Sequence, residues 1–329
     1  MPVSVAMMEK SYEIIAEQLN ALALDINVYT FNETGKIWID GVAVSPNEVE
    51  IDYIWLSSHI NASPDKKAIF DLILACKSVT VLQTYNAGLD NPFYKKLSDK
   101  GTRICNSSAQ AIAISEYVMA QVLSVVHPID EQRVLQTNRQ WKNTPFRELS
   151  QTNWLIFGYG PIGQEVAKRV RAFEASLSVI RRTPTKSEFA DKTGTMEDLE
   201  TFLPKADVIV LACPLNNDTR GFADEPFFAN VKEGAILINI ARGGLIDDSA
   251  LISALDAGRL DMAILDVFHR EPLPDDSPLW SHQKVRLTSH TSFAGEGVHK
   301  RWNQMFLDNI TLFISGEKLL FEVDPDIIV

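Results

Sequence analysis

A short apolar run that leads straight into a glycine turn and out into a helix constrains this chain more than any other feature. Trp154-Leu155-Ile156-Phe157 is a strand candidate, Gly158-Tyr159-Gly160-Pro161-Ile162-Gly163 has the spacing G-x-G-x-x-G, and residues 165–173 carry helical apolar spacing. The first glycine permits a tight turn, the second lets backbone approach a pyrophosphate, and the third lets helix and strand pack closely. The helix N-terminus then faces the phosphates. Such a unit requires a parallel sheet whose strands are joined through covering helices.

The rest of the chain supplies more of that alternation. After the glycine turn, strand candidates fall at 177–180, 207–211, 235–238, 263–265 and 285–287. A helix at 251–257 is closed by Gly258, and another at 298–313 ends on Ser315-Gly316. Before the turn, the pattern predicts a helix at 12–22, a strand at 52–56, a helix at 69–75 and a strand at 79–82. Two loops follow these strands. Ser57-Ser58-His59 faces either a ligand or solvent, and Asn86-Ala87-Gly88-Leu89-Asp90 is turn-like. A long apolar helix is expected at 109–126, buried between layers. The polar stretch 130–153 embeds Trp141, Phe146 and Leu149, which serve either a subunit contact or their own domain. A chain of 329 residues is long for one core and suits two domains.

Composition excludes several classes of function. A net charge of −12 argues against a basic nucleic-acid surface. No apolar run has the length of a membrane span, and residues 1–10 lack the pattern of a signal peptide. Cys76, Cys105 and Cys213 are scattered, which fits neither a disulfide framework nor a metal cluster. No metal, membrane or nucleic acid is therefore expected, and the cytoplasm is the expected compartment.

The end of the second strand bears on the choice of dinucleotide. An NAD site has an acid there, about 20 residues past the glycines, to hold the ribose 2′-hydroxyl. This chain reads Ile180-Arg181-Arg182-Thr183 instead. An arginine pair would neutralise a 2′-phosphate that a carboxylate would repel, so NADP is expected, with NAD as the alternative.

Three charged residues lie on later strand ends: Arg242 after 235–238, Glu271 after 263–265 and His290 after 285–287. Strand-end loops on one edge of a doubly wound sheet face the cofactor crevice. Arg242 can bind a substrate carboxylate bidentately, and His290 can exchange a proton with a neighbouring carbonyl oxygen. Glu271 can fix the far imidazole nitrogen, and Asp266 is placed to receive a nicotinamide carboxamide. This points to hydride chemistry on a small anionic 2-oxo acid.

The phrases carrying these residues resemble the D-isomer-specific 2-hydroxyacid dehydrogenases. They are Asn239-Ile240-Ala241-Arg242-Gly243-Gly244-Leu245-Ile246-Asp247, Leu265-Asp266-Val267-Phe268-His269-Arg270-Glu271-Pro272-Leu273-Pro274 and Thr288-Ser289-His290. Cys213-Pro214-Leu215, Thr219-Arg220-Gly221, Asn86-Ala87-Gly88-Leu89-Asp90 and Ser115-Glu116-Tyr117 fit as well, so the likeness runs from about Val79 to Val323. It is strong in the second half.

The resemblance implies an α/β fold in which a Rossmann doubly wound parallel sheet is inserted into a smaller flavodoxin-like domain. Residues 104–292 would be the dinucleotide domain, and 1–103 plus 293–329 the substrate domain. It implies that Cys213, Pro214, Thr219, Ile240 and Ala241 join the cofactor set, and that the backbone at Ala87 and Gly88 helps Arg242 and His290 hold substrate in an interdomain cleft. It also implies a homodimer, with 141–149 as the contacting arm.

Departures from the family pattern narrow the reading. Arg181 replaces the acid of NAD-using members, and Glu174 stands where a glycine is common. Glu271 differs from the glutamine of formate dehydrogenases, and Ala87 from the lysine of phosphite dehydrogenases. The regulatory extension of some phosphoglycerate dehydrogenases is not expected, since the sequence stops soon after Asp324. Glyoxylate, hydroxypyruvate or a bulkier 2-oxo acid is the expected substrate. The alternative is a dinucleotide-sensing binding protein akin to the family's transcriptional corepressors, for which no basic patch or modification-rich extension speaks.

Overall fold

A computed structural model describes residues 1–328. The chain divides into two compact units, Met1–Ala109 together with the stretch from Glu296 onward, and Gln110–Gly295. The second unit is thus inserted in the first. The first contains β1 (Val3–Met8), α1 (Glu9–Ala21), β2 (Ile26–Phe31), β3 (Ile37–Ile39), β4 (Val42–Val44), β5 (Glu50–Leu56), α2 (Lys66–Ala75), β6 (Ser78–Thr84), α3 (Pro92–Ser98) and β7 (Arg103–Cys105). The second opens with α4 (Ala111–Val126), α5 (Ile129–Thr137), β8 (Asn153–Phe157), α6 (Pro161–Ala172), β9 (Ser176–Ile180), β10 (Lys192–Gly194) and α7 (Leu199–Phe202). It continues through β11 (Val208–Leu211), α8 (Glu225–Asn230), β12 (Ala235–Asn239), α9 (Asp248–Asp256), β13 (Leu260–Leu265) and β14 (Val285–Leu287). α10 (Val298–Ile314) returns the chain to the first unit.

The inserted sheet runs β10-β9-β8-β11-β12-β13-β14. Every neighbouring pair is parallel. This is the doubly wound order, with its reversal between β8 and β11. Its central strands read as unbroken apolar runs, Val208-Ile209-Val210-Leu211 among them, and all four of those residues are buried. Strands covered on both faces do not alternate, which is why length and flanking turns, rather than a period of two, identify them. The two faces have separate cores, one around Leu155, Phe157, Phe227 and Leu251. The other lies around Val118, Val122, Ile156 and Val166, where α4 and α6 pack together. The expected helix at 109–126 is therefore a buried element of this unit.

The first sheet runs β4-β3-β2-β1-β5-β6-β7. Its parallel part, β2-β1-β5-β6-β7, has the flavodoxin-like order and reverses between β1 and β5. β3 and β4 form an antiparallel hairpin on one edge. Asp40 and Gly41 join them with φ values of +50° and +76°, as a two-residue type I′ turn requires. The strand-helix alternation does not predict this hairpin, although the Asp-Gly pair signals it. A domain cut after residue 103 falls inside β7, which pairs with β6 and so keeps residues 103–105 in the first unit. At the end of α6, Glu174 takes φ +59°, a left-handed conformation that costs a non-glycine residue about 1 kcal/mol.

Candidate active site

The glycine turn is built from close approaches. Gly158 has φ +93°, and a Cβ there would lie 2.6 Å from the Ala212 carbonyl oxygen and 2.7 Å from the Cys213 nitrogen. The turn thus presses on the loop after β11, the strand on the far side of the reversal. A Cβ on Gly163 would lie 2.2 Å from the Gly158 oxygen, so the third glycine lets α6 start directly over the turn. Gly160 faces open space and caps α6, with Pro161 in the first turn. Open backbone before a 12-residue helix is what a pyrophosphate needs.

Arg181 directly follows β9. Its guanidinium lies over the Tyr159 ring, 5.6 Å from the centroid. Tyr159 is fixed in turn, its hydroxyl accepting the Phe189 amide at 3.2 Å. Arg181 is partly buried, while Arg182 and Thr183 are exposed. Together with the absence of an acid at this strand end, these groups fit NADP.

The loop after β11 is self-contained. Thr219 Oγ1 donates to the Pro214 oxygen at 2.7 Å and accepts the Asn216 amide at 2.9 Å, which closes the turn. Burial raises the Cys213 thiol to a pKa of about 12, so it stays protonated and lines the loop as a small apolar group.

The ends of β12, β13 and β14 are neighbours in the sheet and carry the three charged residues. Buried Asn239 shapes the first, donating to the Arg242 oxygen at 2.8 Å and accepting the Ala241 amide at 3.1 Å. Ile240 is buried, and Ala241 accepts from Arg242 Nη1 at 2.7 Å. A Cβ on Gly243 would lie 2.0 Å from the Phe268 carbonyl carbon. The Arg242 loop therefore presses against the loop that carries Glu271, and only glycine fits between them.

His290 Nδ1 lies 2.7 Å from Glu271 Oε2, and Glu271 Oε1 accepts the Phe268 amide at 2.9 Å. A carboxylate only accepts, so Nδ1 carries the proton and Nε2 is the nitrogen left to exchange one. His290 has φ +50°, uncommon for a non-glycine residue and held by its surroundings. Its amide donates to the Asp266 oxygen at 2.8 Å.

Asp266 has a role that its sequence context does not reveal. Its fully buried carboxylate accepts the Thr288 hydroxyl at 2.6 Å, the Thr291 amide at 2.8 Å and the Ser292 amide at 3.1 Å. Thr288 donates to Asp266, so the Tyr117 hydroxyl, 2.8 Å from Thr288, must donate to it. Tyr117, Thr288 and Asp266 thus clamp the loop on both sides of His290. Thr288 and Thr291 donate to Oδ1, and among the described residues Oδ2 accepts from the Ser292 amide.

Ala87 and Gly88 belong to the first unit, on the loop after β6. Asn106 Nδ2 donates to the Ala87 oxygen at 2.8 Å and the Ser107 amide to the Asn86 oxygen at 2.8 Å, which pins this loop to the end of β7. No cluster of His, Cys, Asp and Glu suited to a metal occurs among the described residues.

Known proteins resemble this chain in sequence and fold. Residues 119–292 match the profile of the D-isomer specific 2-hydroxyacid dehydrogenase, NAD binding domain. A hydroxypyruvate reductase of Thermotoga maritima is 34% identical over 240 residues, covering 71% of this chain and 78% of that protein. A D-3-phosphoglycerate dehydrogenase of Methanocaldococcus jannaschii is 31% identical over 257 residues, covering 76% of this chain but 48% of that protein, so the chain spans about half its length. In fold, the chain matches a D-isomer specific 2-hydroxyacid dehydrogenase from Xanthobacter autotrophicus Py2, solved with NADPH and MES. The TM-score is 0.79 at 24% identity over 99% of both chains.

Proposed function

We propose that this chain, which belongs to the D-isomer-specific 2-hydroxyacid dehydrogenase family, reduces a small 2-oxo acid to the D-2-hydroxy acid with NADPH as donor. The observation that carries the reading is the His290–Glu271 pair, whose 2.7 Å contact leaves Nε2 to serve the substrate. When bound, the dinucleotide supplies the hydride to the carbonyl carbon. His290 gives the proton from Nε2 to the carbonyl oxygen, and Glu271 stabilises the imidazolium that precedes this transfer. Arg242 holds the carboxylate through two parallel hydrogen bonds, which orients the adjacent carbonyl. The backbone at Ala87 and Gly88 is the second proposed anchor for that carboxylate.

The cofactor set follows the same reading. Gly158 to Gly163 cradle the pyrophosphate, and Arg181, Arg182 and Thr183 take the 2′-phosphate. Cys213, Pro214, Thr219, Ile240, Ala241 and Asp266 lie toward the nicotinamide. We also propose a homodimer acting in the cytoplasm. α5 has no buried residue, and Trp141 and Phe146 stand exposed beyond it, an apolar arm that a second copy would cover. Oxidation of NADPH and of NADH with glyoxylate, hydroxypyruvate and bulkier 2-oxo acids tests the function. Turnover with NADPH ahead of NADH is expected, and no turnover with any acid overturns the reading.

A further inference from the structure

Arginines of the inserted unit are held in two ways. On α6, Arg169 pairs with Glu116 and Glu165, and Arg171 pairs with Asp191. Arg181, directly after β9, has no carboxylate partner among the described residues. Its guanidinium rests over the Tyr159 ring, 5.6 Å from the centroid. The difference matters for an anionic ligand. An ion pair fixes an arginine but cancels its charge and occupies its donors. A ring face attracts the cation and leaves the net charge and all five N–H donors for another partner.

Tyr159 is itself built into the fold. It sits between the first two glycines of the turn before α6, and the Gly158 amide donates to the Ile180 oxygen at 2.8 Å, which fastens that turn to the residue before Arg181. Tyr159 and Phe189 both pack against the core around Val166 and Val179. The Tyr159 hydroxyl accepts the Phe189 amide at 3.2 Å. One side chain thus touches both ends of the segment from Arg181 to Phe189, which also carries the exposed Arg182, Thr183 and Lys186. A long arginine side chain loses conformational freedom when it captures an anion. A ring that already holds it removes part of that cost before the ligand arrives.

We propose that Tyr159 is a specificity-determining positioning residue: its ring holds the Arg181 guanidinium with charge and donors free, and so raises the preference for NADP over NAD. The proposal rests on the reading that Arg181 takes the 2′-phosphate, and deepens it. Every group it invokes belongs to the inserted unit. A ring that instead served the part common to both dinucleotides would strengthen NADPH and NADH alike, so binding of the two separates these roles.

The test uses the full chain and reads equilibrium binding by titration calorimetry. The ligands are NADPH and NADH, and the fragments adenosine 2′,5′-bisphosphate and AMP, which differ only by the 2′-phosphate. Tyr159→Leu is expected to lower the ratio of Kd for NADH over NADPH about 2- to 5-fold, and the ratio for the fragments by the same factor. Tyr159→Phe keeps the ring and removes the hydroxyl, and is expected to keep most of both ratios. In an Arg181→Ala background, Tyr159→Leu is expected to change the ratios no further, because the contact is already gone. If Tyr159→Leu does not fold, Tyr159→Met fills more of the ring's volume without a π face and carries the same expectation. Equal weakening of NADPH and NADH, or an unchanged ratio, overturns the role of Tyr159 and leaves that of Arg181 standing. A further fall in the Arg181→Ala background overturns it as well. An unchanged ratio in Arg181→Ala alone overturns the assignment of Arg181 and this proposal with it, as does the failure of the unaltered chain to bind either dinucleotide.

Discussion

The carboxyl edges of the two sheets are organised by different means. In the inserted unit, Arg242, Glu271 and His290 sit on the ends of three adjacent strands, each inside a local phrase that the backbone demands. Gly243 stands where any Cβ would lie 2.0 Å from Phe268, and His290 is held at φ +50°. In the first unit, the polar cluster of Ser11, Ser57 and His59 on the carboxyl edge is joined through side chains. Ser11 and His59 meet across 48 positions of sequence with no shared phrase. Constraints on backbone leave short-range marks in a sequence, whereas contacts between side chains leave only ordinary serines and a histidine. The first kind of edge should fail on a single change, and the second should degrade by steps.

The largest effect tests the first half of that contrast. His290→Ala is expected to lower kcat about 100- to 10,000-fold with little change in cofactor affinity, measured by NADPH fluorescence titration. A loss of similar size in NADPH binding would show that the loop, not the proton transfer, had been damaged.

What was legible follows the same division. The inserted sheet could be read because Gly158 and Gly163 admit no side chain and because strands such as Val208–Leu211 are apolar throughout. The Asp266 clamp could not. It depends on Tyr117, which lies 171 positions from Thr288, and on two amides whose direction only the fold sets. An acid beside a strand end reads equally well as a ligand group or a structural one. The same holds for Tyr159, whose ring supports Arg181 although nothing in the glycine spacing requires an aromatic residue there.

Arg181→Asp comes next in size. If Arg181 holds the 2′-phosphate, replacing the cation by an acid removes a charge-assisted contact and adds repulsion. The ratio of kcat/KM for NADPH over NADH is expected to fall about 10- to 100-fold. An unchanged ratio would refute the role of Arg181. Thr288→Val should be milder. It cuts the link between Tyr117 and Asp266 but leaves the two amide contacts, so kcat is expected to fall about 3- to 10-fold. The pH profile should shift along with it, because the loop that sets the His290–Glu271 contact loosens. A change in thermal stability with kcat and its pH profile untouched would make the clamp purely structural.

The smallest effects bear on the second half of the contrast. Ser57→Ala leaves Ser11, 3.0 Å from His59 Nδ1, still able to donate to it. Ser11→Ala leaves Ser57 at 3.3 Å, a longer but usable donor. Either serine can therefore hold the proton on Nε2 alone, and each single variant is expected to lower stability by about 1 kcal/mol or less, read from thermal unfolding. The double variant removes both donors and frees Nδ1 to take the proton, so its loss of stability should exceed the sum of the singles, a coupling read from the double-mutant cycle. A single serine variant as damaging as His59→Leu would break the comparison, because it would mean that this edge, too, hangs on one irreplaceable contact.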